Sequence, residues 1–323
     1  MPPRVSICLP NFNYGRYLPE AIESILEQTF ADFELIIVDN CSTDDSREII
    51  GRYAAQDRRI MVTFNDRNIG MVNNLNRCLH EAKAEYIKYL FADDRFASRE
   101  ALQKMVSVMD ANSSVSLVGS ARFVIDDRSD VTKTLTQYGS RDIVLPGAEV
   151  IRDCLLEQRN YIGEPSVVLF RREQGIRGFD ARYRQFVDLA FWVHLLEQGD
   201  FAYLHEPLCS FRVHDRQETA VNREQNVHIE EQVMLTADHG ENPDLRLTAL
   251  DRAYMRFIPA RNIWKLYKRY GKLSGEAARA RIRTLYRGSL PAFYLFFPIY
   301  RIYKLYLSFR RSILFAIRRR VIR

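Results

Sequence analysis

The chain has few cysteines, no long apolar run and no internal repeat. Its 323 residues include five cysteines, none spaced as C-x-x-C, which disfavours a disulfide framework and a structural zinc site. The N-terminal residues enter a strand-like pattern at once and contain no apolar stretch of signal-peptide length, so we do not expect secretion. Hydrophobic residues make up 47% and charged residues 27%, which excludes a disordered or fibrous protein.

Acidic residues are scarce in the last quarter of the sequence. Residues 251–323 contain 19 Lys/Arg and 2 Asp/Glu, a balance of +17, whereas residues 1–250 contain 28 and 39, a balance of −11. The net charge of +6 therefore combines an acidic body with a basic C-terminal region. Such asymmetry is typical of proteins whose basic part contacts an anionic surface.

Strand and helix patterns alternate through the first hundred residues. Apolar runs at Val5–Leu9, Phe33–Val38 and Tyr86–Phe91 predict strands, with helices between them. Val115–Gly119 and Arg122–Ile125 are predicted as two further strands. The pattern indicates an α/β fold with a doubly wound, mostly parallel, Rossmann-like sheet flanked by helices. Ligands bind beyond the carboxyl ends of such strands, where polar residues cluster here: Asn11, Asn13, Asp39, Asn40, Asp93 and Asp94.

Two adjacent carboxylates, Asp93 and Asp94, close the strand segment YLFADD. Adjacent carboxylates repel each other unless a cation or hydrogen-bond donors lie between them. Oxygen ligands suit Mg²⁺ or Mn²⁺, which often bridge a protein carboxylate and substrate phosphates. A helix cap with an acidic first turn is the alternative interpretation of the pair.

The order of the polar segments resembles that of family 2 glycosyltransferases, which have the GT-A fold. The segments are VDNCSTDDS, the N-x-G of residues 68–70 with a downstream Asn, YLFADD, FVDLAFWVHLLEQG and FRVHDRQ. The resemblance covers roughly residues 4–215. It implies an inverting enzyme that takes a sugar from a nucleotide-sugar donor, with UDP or dTDP expected as the nucleotide.

The resemblance also implies which residues bind the nucleotide. Asp39 would accept the N3–H of a uracil or thymine, while the loop after the first strand packs around the base. Amides and helix-terminal N–H groups suit ribose and phosphate, and the planar guanidinium of Arg212 suits a diphosphate. The predicted nucleotide-binding residues are Pro10, Asn11, Asn13, Asp39, Asn40, Asn68, Gly70, Asn76, Asp93 and Arg212. Turns and helix caps are the alternative for several of them.

A metal site is implied at the same place. Asp94 would bind Mn²⁺ or Mg²⁺, Asp93 would contact the ribose or assist, and His214 would help to hold the metal or the diphosphate. Phe91 stands where the family commonly has its first acid, which leaves open which of the two carboxylates is the main ligand.

Asp188 is the predicted catalytic base. It lies near the start of an apolar helix predicted over Asp188–Glu197, where a helix N-terminus favours an anion, and an ionised carboxylate can take a hydroxyl proton. The family's usual Glu-Asp reads Val187-Asp188 here, and a helix cap is the alternative role. Glu164 and Ser166 are predicted to line the acceptor side.

We predict two domains. Residues 1–220 would form the GT-A catalytic domain, with a nucleotide-binding half at 1–100 and an acceptor-binding half at 101–220. Residues 221–323 would form a helical, basic C-terminal extension.

The segment 289–317 is apolar and basic, yet too interrupted to span a membrane. Its longest uncharged stretch, Gly288–Tyr300, has 13 residues with two prolines, whereas a spanning helix needs about 20 apolar residues. Basic residues then recur near helical spacing among Ile, Tyr, Leu and Phe: Arg301, Lys304, Arg311 and Arg318. This pattern predicts an amphipathic helix on an anionic membrane surface, with packing of its aromatic face on the catalytic domain as the alternative.

Together these observations predict a metal-assisted glycosyltransferase in the cytoplasm, peripheral on the inner face of the cytoplasmic membrane. Its acceptor would be a surface glycan or a lipid-linked glycan, and no nucleic-acid partner is expected because no recognised binding module is present. A non-catalytic membrane-bound scaffold stays open because of the departures at Asn40, Phe91 and Val187. Another nucleotide-using enzyme, such as an oxidoreductase, is disfavoured because G-x-G-x-x-G is missing after the first strand.

Overall fold

A computed structural model describes residues 2–214, 217, 227–270, 275–286, 290–317 and 320–321. The chain divides into two units. Unit 1 comprises residues 1–147, 161–217 and 320–323, and unit 2 comprises residues 148–160 and 218–319.

The strands of unit 1 form one mixed sheet. They are β1 (Val5–Asn11), β2 (Phe33–Asp39), β3 (Ile60–Phe64), β4 (Tyr86–Tyr89), β5 (Arg95–Phe96), β6 (Val115–Ile125), β7 (Val131–Leu135), β8 (Ile143–Leu145), β9 (Val168–Arg171), β10 (Asp200–Arg212) and β11 (Arg320–Val321). Their order is β11-β8-β10-β6-β9-β4-β1-β2-β3, with β5 beside β10 and β7 beside β6. The run β4-β1-β2-β3 is parallel throughout, as is the pair β6 and β10. The predicted α/β class is confirmed, with parallel pairing among the first four strands of the chain.

Ten helices lie within the described residues. They are α1 (Leu18–Leu26), α2 (Ser46–Gln56), α3 (Met71–Glu81), α4 (Ala101–Ala111), α5 (Gly147–Glu157), α6 (Val187–Leu196), α7 (Val227–His239), α8 (Ala249–Tyr270), α9 (Gly275–Tyr286) and α10 (Leu290–Ile317). Short 3₁₀ turns occupy Pro165–Val167, Arg172–Gly175 and Pro243–Leu245. None of these helices combines the length and the hydropathy needed to cross a bilayer.

Strand β2, which pairs in parallel with β1 and β3, is buried along its whole length. All seven residues of its sequence FELIIVD are buried, as expected for a strand covered by helices on both faces. The register sets Asn11 opposite Asp39 and Phe64 opposite Asp39, so the carboxyl ends of β1, β2 and β3 are level. The polar residues that follow these strands therefore lie along one edge of the sheet.

One long strand replaces the two strands predicted between residues 115 and 125. Ser120 and Ala121, which separate the two apolar runs, are buried and pair with Leu204 and Pro207 of β10. The small side chains of Ser120 and Ala121 interrupt the run of large apolar residues in β6, but the backbone hydrogen bonds to β10 continue through them. The prediction of a break was therefore wrong.

Unit 2 is helical, with aromatic packing between α8 and α10. The ring of Phe257 lies 5.1–5.2 Å from the rings of Phe293, Phe296 and Tyr300, measured between centroids. These aromatic side chains bury the inner face of α10 against α8. The predicted basic residue Arg318 and the side chain of Arg311 lie outside the described residues.

A buried aspartate organises the polar contacts of unit 2. Asp251 is fully buried; its Oδ2 lies 2.9 Å from Arg152 Nη2 and accepts from the Thr248 N–H at 2.7 Å. The Tyr303 hydroxyl donates to its other oxygen. Burial opposes the charge, but the hydrogen bonds from Tyr303 and Thr248 and the charge of Arg152 outweigh it and hold the pKa of Asp251 below its usual value.

We expect Asp251→Asn to lower the free energy of unfolding by about 3 kcal/mol at neutral pH, because Arg152 loses its buried counter-charge. A depressed carboxyl pKa stabilises the fold above the unfolded-state value of about 3.9, and this contribution is lost as the pH falls through the folded-state value. The difference between variant and wild type should therefore shrink in acid. Urea denaturation followed by circular dichroism across a pH series measures it.

The exposed Asp244 offers a matched control, since Asp244→Asn should change the unfolding free energy by no more than about 0.5 kcal/mol. An Asp251→Asn deficit that stayed constant down to strongly acidic pH would contradict the electrostatic explanation.

Candidate active site

A buried side-chain network joins the ends of β1 and β2. Asn11 Nδ2 donates to Asp39 Oδ1 at 2.7 Å. The Ser42 backbone N–H and hydroxyl donate to the same carboxylate at 2.9 and 2.5 Å. Asn11 and Asp39 are both buried, so these bonds are shielded from water. The Asp39 carboxylate therefore holds the loop after β2 against the end of β1.

The loop after β1 is anchored around an exposed aromatic ring. Asn13 has a φ of 59°, in the left-handed region that asparagine tolerates better than most residues. Its N–H donates to Ser42 Oγ at 2.9 Å, and its Oδ1 accepts from the Thr43 N–H at 2.8 Å. Phe12, between the anchored asparagines, stays 41% exposed. The predicted residues Pro10, Asn11 and Asn13 thus form one rim at the strand ends.

An asparagine cluster lies beyond β2 and β3. Asn40 Nδ2 donates to Asn68 Oδ1 at 2.8 Å, and Asn65 Nδ2 donates to Asn40 Oδ1 at 3.1 Å and to Asn74 Oδ1 at 2.9 Å. Gly70, with a φ of 84°, precedes α3 and donates its N–H to Asn68 Oδ1 at 2.8 Å. The structure brings Asn40, Asn68 and Gly70 together, as the predicted nucleotide site requires.

Sequence reasoning missed Asn65, which is the centre of this cluster. Besides its two amide bonds, its Oδ1 accepts from Arg77 Nη1 at 2.5 Å, and its N–H donates to the Asp39 carbonyl at 2.9 Å. Asn65 follows β3 directly. That strand-end position is the same signal that identified Asp39 and Asn40.

Asn76 lies on α3 but does not join the asparagine cluster. Its Nδ2 donates to the Phe179 carbonyl at 2.9 Å, and its Oδ1 accepts the Phe179 N–H at 2.7 Å. Gly178 has a φ of 74°, and a Cβ there would lie 2.6 Å from Asn76 Oδ1. Asn76 therefore clamps the segment before α6, and this position lends no support to its predicted contact with a nucleotide.

Asp93 and Asp94 lie in a turn after β4, the acidic turn, and are almost inaccessible to solvent. Their exposed fractions are 5% and 2%. Asp94 Oδ1 accepts the Arg212 backbone N–H at 2.9 Å, and the Ser166 hydroxyl also interacts with this carboxylate. The second oxygen, Asp94 Oδ2, is buried and accepts no hydrogen bond of normal geometry within the described part of the chain. Burial and the adjacent charge of Asp93 raise the pKa of Asp94 well above its ordinary value.

Arg212, at the end of β10, ties the acidic turn to two other segments. Its Nε donates to the Asp93 carbonyl at 2.8 Å, its Nη1 donates to the Asp126 carbonyl at 2.7 Å, and its Nη2 contacts the Glu20 carboxylate on α1. The guanidinium carbon lies 4.7 Å from the centroid of the Tyr17 ring. Protein groups contact all three guanidinium nitrogens, so Arg212 holds the acidic turn in place. Its predicted contact with a diphosphate stays a prediction.

His214 lies beside the acidic turn. Its Nε2 is 3.1 Å from Asp93 Oδ2, and both side chains are more than nine-tenths buried. The imidazole packs against Tyr14 and Tyr17, with ring centroids 5.6 and 5.4 Å apart. The structure therefore places His214 with Asp93, as the proposed metal or diphosphate site requires.

The loop before β9 contacts the acidic turn from another side. Ser166 Oγ accepts the Phe91 N–H at 3.0 Å. Glu164 forms a two-point ion pair with Arg122, with N–O distances of 2.6 and 2.9 Å. Trp192 Nε1 on α6 donates to the Gly163 carbonyl at 3.0 Å. This loop thus links the acidic turn to α6.

A buried lysine behind the acidic turn also escaped sequence reasoning. Lys88 of β4 is fully buried, and its ammonium group donates to the carbonyls of Tyr89, at 2.6 Å, and Ser166. Burial lowers the pKa of Lys88, while the charges of Cys209 and Asp94 act in the opposite direction. A single lysine inside an otherwise apolar strand pattern is the signal that could have identified it.

Asp188 lies in the first turn of α6 and is half-buried. Its Oδ1 accepts the Leu189 N–H at 2.7 Å, and the N–H groups at the helix start favour its ionised form. Phe191, three residues on, packs against Phe170 and Phe179 with ring centroids 5.3 and 4.2 Å apart. Aromatic packing therefore fixes the helix that carries the predicted base.

The side chains at the acidic turn are of the kinds that bind a divalent cation, but they do not form a complete set of ligands within the described residues. No three His, Cys, Asp or Glu side chains among the residues described here converge closely enough to hold a metal ion. Even so, Asp94 Oδ2 is buried and unpartnered in the described structure, and Asp93 and His214 lie next to it. Carboxylate oxygens with an imidazole suit Mn²⁺ or Mg²⁺, whose remaining ligands are commonly water and substrate phosphates.

Comparison with known proteins identifies the family to which this sequence is similar. The family model for glycosyl transferase family 2 matches residues 6–174. TuaG of Bacillus subtilis strain 168, provisionally named a teichuronic acid biosynthesis glycosyltransferase, is 30% identical over 213 residues, which cover 65% of this chain and 79% of TuaG.

Two solved structures have a similar fold. S. aureus TarS 1–349 in complex with UDP-GlcNAc has a TM-score of 0.58 and 16% identity, over 88% of this chain and 89% of that one. The mannosyltransferase PcManGT of Pyrobaculum calidifontis, in complex with GDP-Man and Mn²⁺, has a TM-score of 0.57 and 18% identity, over 98% and 88%. In a longer TarS structure the match covers 49% of that chain. At these identities the likeness concerns the fold.

We expect Arg212→Lys to destabilise the protein by about 2–4 kcal/mol, because an ammonium group cannot replace a planar guanidinium that contacts Asp93, Asp126 and Glu20 at once. Arg182 is 57% exposed and pairs with Asp180, so Arg182→Lys should cost less than about 1 kcal/mol. Urea denaturation of both variants measures the difference. Equal losses would contradict the positioning role of Arg212.

Proposed function

The chain belongs to glycosyl transferase family 2, and on that basis we propose that it transfers a sugar, with inversion, from a UDP- or dTDP-linked donor to a hydroxyl of a glycan acceptor. One observation carries the proposal. Two buried, adjacent carboxylates follow β4, and one of their oxygens, Asp94 Oδ2, has no partner in the described structure. Such a pair is the arrangement that a divalent cation bridging to a diphosphate would complete.

The edge formed by β1, β2 and β3 would bind the nucleotide. Asp39 and Asn11 hold the first loop, and Asn40, Asn68 and Gly70 present amides at the start of α3, a position that favours phosphate. TarS 1–349 in complex with UDP-GlcNAc and PcManGT in complex with GDP-Man support a nucleotide-sugar donor. The choice of UDP or dTDP rests on Asp39, whose Oδ2 accepts the Ser42 N–H and has a second lone pair for the N–H of a base.

The acidic turn and His214 would hold Mn²⁺ or Mg²⁺. The bound cation would supply a positive charge against which the leaving diphosphate develops its negative charge. The Mn²⁺ in the PcManGT complex supports a divalent ion of this kind. Within the chain, Arg212 holds the acidic turn through its backbone N–H, which donates to the Asp94 carboxylate, and its Nε, which donates to the main-chain carbonyl of Asp93.

Asp188 would act as the general base. The acceptor hydroxyl oxygen forms a bond to the anomeric carbon as the bond from that carbon to the donor phosphate oxygen breaks, and the hydroxyl proton passes to the Asp188 carboxylate. A single displacement from the face opposite the phosphate inverts the anomeric configuration. Glu164 and Ser166, which lie in the loop linked to α6 by Trp192, would face the acceptor.

We further propose an acceptor and a location. A surface glycan, or its lipid-linked precursor, suits a basic C-terminal region that would hold the enzyme peripherally at the cytoplasmic face of the cell membrane. The name of TuaG, from teichuronic acid biosynthesis, agrees with a role in cell-envelope polysaccharide. We propose no nucleic-acid partner.

Asp188→Asn should reduce kcat for sugar transfer by a factor of about 10²–10⁴, because the carbonyl oxygen of an amide is a very poor base. Binding of nucleotide, measured by isothermal titration with UDP and Mn²⁺, should be unchanged. Glu197→Gln, at the exposed C-terminal end of the same helix, is the matched control and should keep full activity. Wild-type turnover by Asp188→Asn would remove this residue from the mechanism.

Asp94→Asn should weaken Mn²⁺-dependent nucleotide binding at least tenfold, because it removes the charge of the proposed metal ligand. Asp57→Asn, which breaks a partly exposed ion pair with Arg59, should bind as the wild type does. Release of nucleoside diphosphate from a panel of sugar nucleotides, with and without Mn²⁺, gives the donor. A catalytically inert scaffold would release none with any donor, and an oxidoreductase would instead turn over a nicotinamide cofactor.

A further inference from the structure

Helix α10 has two apolar faces, and among the described residues only one of them is covered. The residues of its covered face are Phe293, Phe296, Tyr300, Tyr303 and Leu307, all at most 8% exposed. They pack against α8 within unit 2, where Tyr254 stacks on Tyr300 with ring centroids 5.5 Å apart. Internal packing of the helix is therefore complete without its second face.

The second face, which we call the outer face, exposes seven large side chains: Tyr294, Leu295, Ile299, Ile302, Leu305, Tyr306 and Phe309. Leu295 and Leu305 are each 73% exposed, and Ile302 is 70% exposed. Together the seven expose on the order of 800 Å² of mostly apolar surface, more than the roughly 300–600 Å² of the largest patch on a typical monomer. An exposed apolar patch of this size on one helix indicates an interaction surface.

Basic side chains border the outer face. At 100° per residue its apolar side chains occupy an arc of about 140° around the helix, and Arg301 and Lys304 lie beyond one edge. Arg310 lies beyond the other edge, 3.7 Å from Asp153. Arg301 lies about 20° and Lys304 about 80° beyond the first edge, and both side chains are exposed, so their charges are accessible from outside.

We propose that the outer face of α10 lies in the headgroup region of an anionic bilayer, with its apolar side chains inserted and Arg301 and Lys304 at the phosphate level. This deepens the membrane location given under the proposed function but does not depend on the transferase chemistry. An apolar arc flanked by cations is the pattern of helices that lie along a membrane surface. Anionic lipids attract each such cation.

Two other arrangements fit the helix less well. A second copy of α10 would bring like charges together, because residues 290–317 contain four Lys/Arg and no Asp/Glu to pair with them. A spanning arrangement is disfavoured by those cations and by Pro298, and within the described ranges no helix is apolar enough to cross a bilayer. An interfacial position leaves the cations in water and buries only the outer face.

Vesicle flotation with the full chain tests the proposal. Wild type should float with phosphatidylcholine–phosphatidylglycerol vesicles and bind vesicles of phosphatidylcholine alone at least tenfold more weakly. The triple substitution Leu295→Ser, Ile302→Ser and Leu305→Ser should lower binding to anionic vesicles at least tenfold. Ile176→Ser, in unit 1, removes an isolated side chain that is also 73% exposed and should bind as wild type does.

The charges are tested separately. The pair Arg301→Glu and Lys304→Glu should bind anionic vesicles at least tenfold more weakly than wild type, with little change towards neutral vesicles. The substitution Phe309→Trp places a fluorescent reporter on the outer face, and the emission of this variant should shift to shorter wavelength when anionic vesicles are added.

Three results would overturn the proposal: no flotation of wild type with either vesicle, flotation of the triple variant equal to wild type, or an emission of the Phe309→Trp variant that anionic vesicles leave unshifted. A wild-type dimer in light scattering that the triple variant lacks would assign the outer face to a second copy instead. Release of nucleoside diphosphate in vesicle-free solution is measured independently, so failure here leaves the proposed transferase activity standing, and the reverse also holds.

Discussion

Repulsion between two neighbouring carboxylates is the constraint on which the site depends. Asp93 and Asp94 are buried side by side, and the chain supplies only partial compensation to their carboxylates: the backbone N–H of Arg212 and the hydroxyl of Ser166 at Asp94, and the imidazole of His214 at Asp93. Lys88 adds a positive charge from behind. A fully compensated pair would be a structural element, whereas a pair that keeps one bare oxygen retains affinity for a cation brought with a substrate.

At the ends of β2 and β3, neutral amides take the place of further carboxylates. Asn40, Asn65, Asn68 and Asn74 bond to one another, so the strand ends carry dipoles rather than additional negative charge. In the proposed function this matters, because the diphosphate of the donor would approach the same edge of the sheet. Asparagine at position 40, where the family usually has aspartate, reduces repulsion there and keeps a hydrogen-bonding side chain.

Sequence patterns predict the elements and residues of this protein best where the interacting residues are close together in the chain. Continuous apolar runs identify β1 and β2, and the residues directly after them identify Asp39 and Asn40 as neighbours along one edge. Side-chain partners far apart in sequence escape such reasoning. The sequence shows neither the contacts of Arg212 with Glu20 and Asp126 nor the bonds between Asn76 and Phe179. Hydropathy likewise cannot show that Ser120 and Ala121 continue β6.

The bond pair between Asn76 and the backbone of Phe179 has a consequence for engineering. It joins α3 to the segment that leads into α6, the helix of Asp188, so these two parts of unit 1 are not independent modules. A chimera that took residues 160–200 from a relative with a different acceptor would also have to inherit that relative's residue at position 76. A crossover that ignored this pairing would leave the segment before α6 without its two side-chain bonds to α3.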